Sequence, residues 1–339
     1  MHRISNIESL IASIPALLGF HPENSLVAVV VDASDKVMMV ARVDLPEEQH
    51  QMLLVHQFTE MISRKDRAVA AFLVVVSEEP WTSELPHSEI IHAMLAGLDR
   101  ADMAGVAYWV QATTAGASWC DYVDNTISGT IPDPASTVVA AEAVACGQPI
   151  LSSRDQLVDT MALAQDTDLN RRAALIEQLE TNWEWDEETG LRVVADALTT
   201  LVFEGKSLPD SRIAALAVVL QNLNVRDTCL TLAVGPIKAG AEQLFRELAC
   251  GSPASHRAEP AALAAVCAYM RGDGATAMIA LDLAFACEPQ HTLSQLLLHA
   301  FCHAVPPADI ADLAGSVPSV FASIHPPTGI KLNGQVISG

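Results

Sequence analysis

Positive charge is what this sequence is shortest of: 19 lysines and arginines stand against 41 aspartates and glutamates, a formal net charge of −22. The acidic excess runs along the chain instead of collecting in a tail. It repels phosphate backbones and anionic lipid, so no nucleic-acid partner and no membrane association are expected. The seven cysteines include no C-x-x-C pair and mostly fall inside apolar helical patterns, where they read as small buried hydrophobes in a reducing compartment. No apolar run approaches the ~20 residues that cross a bilayer. The N-terminal MHRISNIESLIASIP is broken by polar residues too often for a signal peptide, so the expected location is cytoplasmic. Missing too are GxxxxGK[ST], a GxGxxG after a strand, HExxH and G-x-S-x-G, the strongest signatures of phosphate, dinucleotide, zinc-protease and hydrolase sites. No cofactor and no metal are therefore expected, and enzyme activity is left open.

What is present is apolar periodicity in a chain of 339 residues, half of them hydrophobic, enough for two domains. Ser5 with Glu8 has capping-box spacing, and Ile7, Leu10, Ile11 and Ile14 predict a helix over about 6–18, stopped by Gly19. LVAVVV (26–31) and VMMVARV (37–43), separated by a turn, predict a β-hairpin. Pro46, Glu47 and Glu48 open a second helix, followed by a strand at 68–76, a helix at about 88–100 and a strand at 106–112. Strands alternating with helices predict parallel crossovers. The fold class is thus an α/β domain over 1–150 with a mixed, mostly parallel sheet and an N-terminal antiparallel hairpin. An all-helical, partly repeat-like domain follows over 151–315, and an extended or partly disordered tail over 316–339.

The segment IPDPASTVVAAEAVACGQPILSSRDQL (131–157) accounts for itself as helix punctuation: Asp133 is a good N-cap, Pro134 suits the first helical position and Gly147 ends the helix. Taken with LLGFHPENSLVAVV, ARVDLP and the W-x-x-Y of Trp119 and Tyr122, it resembles the family catalogued as domain of unknown function 4192, spread among actinobacteria and their phages. The resemblance implies no activity. Where members often carry Cys-Cys-Pro after the W-x-x-Y, this chain has DNTIS (124–128), which argues against thiol or metal chemistry at that point. RGDGATAMIALDLAFACEP (271–289), with AALAAVCAYM before it, resembles part of a tetratricopeptide repeat, a unit that must stack on neighbouring helices. His299, Cys302 and His303 share a helical face at i, i+3 and i+4, but packing residues are expected there because no fourth ligand accompanies them. Trp183 and Trp185, within TNWEWDEE, mark an acidic, aromatic contact patch or seal the helical region, the second being the usual role of tryptophan.

Topology points to a site. Ligands in open α/β sheets bind beyond the carboxyl ends of the parallel strands, and the hairpin reverses direction, so GFHPENS (19–25) is carried to that same edge. The expected polar rim comprises His21, Glu23, Asn24, Asp44, Glu78, Trp119, Asp121 and Tyr122. Its acidic character suits a cation, an amine or a basic partner surface. Two functions compete. One is a protein-interaction or regulatory module with a protein partner or self-association. The other is an enzyme or small-molecule sensor in which His21 or Glu23 acts as acid or base.

Overall fold

The computed structural model describes residues 6–63, 67–81, 84–145, 147–164, 168–182, 186–303, 305–314, 319–322, 331–332 and 335–336. It divides into two compact units, Met1–Leu157 and Val158–Gly339. Ser5, Cys146, Trp183, Trp185 and most of the 316–339 tail lie outside the described residues.

In the first unit, α1 (Ile7–Leu18) begins at Asn6, whose side chain accepts the Ser9 N–H at 2.8 Å, and ends where Gly19 turns left-handed at φ 81°. The chain then forms β1 (Ser25–Asp32) and β2 (Val37–Asp44). Their antiparallel turn is held by Asp32 Oδ1, which accepts from the Ser34 and Lys36 N–H groups. Next come α2 (Gln51–Ser63), β3 (Ala68–Val76), α3 (Ser88–Arg100) and β4 (Ala104–Val110). Two short strands, β5 (Ser118–Asp121) and β6 (Ser128–Thr130), precede α4 (Val138–Ala145), with Asp133 capping the 3-10 turn Pro134–Ser136 between them.

The sheet order is β2-β1-β3-β4-β5-β6, and the sheet is mixed, with β3–β4 its one parallel pair. β1 lies between β2 and β3 and is antiparallel to both, so β2, β3 and β4 run in one direction without being neighbours throughout. The stretch 113–132, where no element is predicted, contributes β5 and β6, which extend the far edge antiparallel. These two differences account for the lower parallel content than periodicity alone predicts. One face of the sheet carries Leu26, Val30, Leu73, Val75 and Trp109 and packs against Phe58 and Ile62 of α2 and Ile91, Met94 and Leu98 of α3. Alternate residues Val27, Val29, Val74 and Val110 point to the other face and are equally buried.

The second unit is helical. After α5 (Arg154–Asp159), which ends the first unit and enters the second, come α6 (Leu169–Asn182), α7 (Glu187–Val202), α8 (Asp210–Val219) and α9 (Leu223–Cys229). They are followed by α10 (Lys238–Gly251), α11 (Ala258–Met270), α12 (Gly274–Cys287), α13 (Thr292–Cys302), α14 (Pro307–Ala314) and α15 (Ser319–Ala322). A two-residue pairing of β7 (Lys331–Leu332) with β8 (Gln335–Val336) lies beyond them. α11 is the centre of this unit: Ala258 through Ala268 are all buried, against α10, α12 and α13. Its run of alanines lets helices approach closely, and α11 with α12 makes a tightly packed hairpin. The Arg271-Gly272-Asp273 step is the turn of that hairpin: Gly272 is left-handed at φ 88°, and Asp273 caps α12 by accepting the Thr276 N–H at 2.9 Å. No helix among the described residues is long and apolar enough to cross a membrane.

Candidate functional site at the carboxyl edge of the sheet

Ser25 pairs with Asp44 on one side and Val76 on the other, Val76 pairs with Val110, and Val110 with Trp119. These residues form one row across the sheet. Just beyond the row lie His21–Asn24, Leu45, Ser77–Trp81 and the stretch after Val110, so the strand directions bring GFHPENS beside Asp44 and Glu78.

The entry to β1 is pinned from below. Phe20 bridges Leu151, with the His21 N–H donating to the Leu151 carbonyl at 3.0 Å and the Leu151 N–H donating to the Gly19 carbonyl at 2.8 Å. This places the half-buried His21 so that its Nδ1 meets the hydroxyl of buried Thr113 at 3.0 Å. Asn24 takes φ 41°, a left-handed turn that asparagine tolerates, and its carbonyl accepts the Leu45 N–H at 2.9 Å. Arg42, lying 6.0 Å from the centre of the Phe20 ring, donates Nε to Ser25 Oγ at 2.8 Å and Nη2 to Asp44 Oδ1 at 2.6 Å. Its guanidinium is mostly sheltered, whereas the Asp44 side chain is 77% exposed, so the aspartate keeps an open flank. Glu23, Glu78 and Glu79 are exposed, and Glu79 lies 3.6 Å from His87 Nε2.

The remaining members of the expected rim are used differently. Trp119 is buried against Gly129, where a Cβ would fall 2.8 Å from the indole nitrogen, and packs edge-on to Tyr108 at 5.7 Å. Tyr122 is buried on the opposite face, in the core with α3, and donates its hydroxyl to the Pro86 carbonyl at 2.5 Å. Burial raises its pKa far above the ordinary tyrosine value, with neighbouring Cys120 and Glu79 adding to the rise. Asp121 sits a step back from the edge, opposite Tyr108, and spends Oδ1 on the N–H groups of Val123 and Asp124. The edge thus gathers His21, Glu23, Asn24, Asp44 and Glu78, while Trp119, Tyr122 and Asp121 support it from within. Sequence reasoning carried Ser25 to this edge within GFHPENS without giving it a role, and passed over Thr113 and Arg42 as site residues. Arg42 was legible in principle, since residues two apart on a strand share a face and Asp44 is its i+2 neighbour. Nothing in the local pattern singled out Thr113.

A second polar constellation lies in the helical unit. Glu259 of α11 receives Arg226 Nη1 of α9 at 3.2 Å on Oε1 and lies 3.1 Å from His291 Nε2 on Oε2. That last contact is an ion-pair distance without hydrogen-bond alignment, which leaves Nε2 without a hydrogen-bond partner. His291 Nδ1 meets Ser294 Oγ at 2.7 Å and accepts the Ser294 N–H, capping α13. Serine, histidine and glutamate in line resemble a hydrolytic relay, yet Ser294 is fully buried and has no path to a substrate. The row is a structural staple. His299, Cys302 and His303 are exposed, with His303 Nδ1 set 2.8 Å from the His299 carbonyl at the helix end. No group of three or more metal-binding side chains assembles among the described residues.

The chain is accordingly an α/β unit with a carboxylate-bearing sheet edge, joined to an alanine-rich helical unit. It belongs to the family described as Domain of unknown function (DUF4192), whose model matches residues 8–308. No curated protein and no solved structure matches it.

Proposed function

We propose that this protein is an interaction or regulatory module whose α/β unit offers the acidic edge to a basic segment of a protein partner. The observation that carries the reading is the division of labour at the edge. Glu23, Glu78 and Glu79 stand exposed, over a layer in which Arg42 is paired with Ser25 and His21 with Thr113. Exposed carboxylates above a closed hydrogen-bonded layer are suited to long-range attraction and to swapping partners, not to holding one reacting group. A fluorescently labelled lysine- and arginine-rich peptide titrated with the full chain tests this. Binding is expected to weaken as salt rises, and to weaken roughly three- to tenfold when Glu23→Gln, Glu78→Gln and Glu79→Gln are combined. Binding indifferent to those substitutions would sink the proposal.

The His21–Thr113 pair favours a second reading, a small-molecule sensor or enzyme at the same edge, because it sets a hydroxyl within 3.0 Å of an imidazole. Thermal-shift screening with amines, nucleotides and divalent metals separates the two. A ligand whose effect is lost in His21→Ala and kept in the triple glutamine variant would support this second reading.

A further inference from the structure

A cavity of about 190 Å³ opens in the helical unit between the 3-10 turn Leu230–Ala233, α11, α13 and α14. Leu230, Val234, Val266, Met270, Leu297 and Ala300 line it, and no polar side chain among the described residues contributes to its wall. Water needs several polar partners to settle in such a space, and the lining side chains provide none. The cavity exists because small residues face it, Ala233 from the turn and Ala300 from α13. The flanking helices are tied to one another beside it. Tyr269 of α11 stacks on Phe301 of α13 with ring centres 3.9 Å apart and planes 10° from parallel. The Tyr269 hydroxyl then donates to the Val305 carbonyl at 2.7 Å, just ahead of α14. At the mouth, Leu296 leaves 65% of its surface in water beside the opening. Ile310 of α14 forms the other lip, and Asp309 and Asp312 on the same helix are exposed.

We infer that this cavity binds an uncharged apolar molecule of about the size of one aromatic ring. An apolar cavity of about 150 Å³ takes up benzene in another protein, so this volume suffices for a ring bearing a small substituent. An apolar wall offers a carboxylate no polar partner, and the net charge of −22 opposes an anion, so both select against a carboxylate on such a ligand. This site is separate from the edge of the α/β unit and does not depend on the function proposed there.

The probes are toluene and, as a ring-matched anion, benzoate, added to the full chain. Toluene near saturation is expected to raise Tm by roughly 2 °C, and benzoate to leave it unchanged. Filling the space with Ala300→Phe or Ala233→Leu should abolish the toluene effect. A toluene shift that persists in a folded, filled variant overturns the inference, as does the absence of any shift in the natural chain. Should neither variant fold, methyl NMR of the natural chain decides. The Met270 methyl, assigned through Met270→Leu, is expected to move on adding toluene, and a stationary Met270 signal rejects the site.

Discussion

Glu259 carries a charge into an alanine-rich helix, where an unpaired carboxylate would cost several kcal/mol. Two cationic or potentially cationic groups meet it, Arg226 of α9 and His291 at the N-cap of α13. Removing the carboxylate strands the buried Arg226 guanidinium, which would keep only its neighbour Asp227 at 2.7 Å. Glu259→Ala is therefore expected to cost about 3–5 kcal/mol in urea denaturation. The exposed edge gives the contrast: Glu23→Ala removes a solvated side chain and should change stability by less than about 0.5 kcal/mol. A rim carboxylate that proved as costly as Glu259 would contradict the division between exposed edge and closed layer on which the proposed function stands. At this scale the sequence was only partly informative. Asp133 was legible as a cap because capping is local chemistry, whereas the partners of Glu259 lie 33 residues away in Arg226 and at the N-cap of α13 in His291.

Among the elements, close approach of helices sets the tolerances. Gly240 of α10 faces Val202 at the end of α7, and a Cβ on Gly240 would fall 2.1 Å from Val202 Cγ2. Gly240→Ala must push the two helices apart or force Val202 off its rotamer. It should cost about 1–3 kcal/mol despite the better helix propensity of alanine, and pairing it with Val202→Ala should recover most of the loss in the same urea experiment. The long periodic elements were readable: α1, α3, β1, β2 and β3 occupy nearly the spans that apolar spacing predicts. β4 starts two residues earlier than its apolar run indicates, at Ala104, because Ala70 of β3 supplies the first pairing partner there. β5 and β6 were not readable. They have four and three residues, and Ser118, Ser128 and Gly129 carry no strand signal of their own, so pairing of β5 to β4 and of β6 to β5 makes them strands.

For the whole molecule, burial of tyrosine predicts the alkaline limit of stability. All three tyrosines have raised pKa values, chiefly by desolvation: Tyr108, Tyr122, and Tyr269, which is pushed up to about 12. The unfolded chain gives up these protons near pH 10, so between about pH 10 and 12 the folded state holds more protons than the unfolded one. Stability is then fully present below pH 10 and falls as pH rises through that window. Tyrosinate absorbance is expected to appear together with loss of the far-ultraviolet helical signal. Ionisation of a tyrosine well before unfolding would show that its burial is not maintained in solution. What the amino-acid sequence determined by itself was the kind and order of the long periodic elements and the edge to which GFHPENS is carried, because apolar period, caps and the reversal of a hairpin are local properties. What only the tertiary structure decided was the fate of each side chain at that edge. Trp119 of β5 and Tyr122 just after it turn inward to opposite faces of the sheet, Arg42 is claimed by Ser25 and Asp44, and His21 finds Thr113 across 92 residues of chain. Exposure at a sheet edge follows from register and from what covers each face, and both are set by contacts between segments that no local pattern relates.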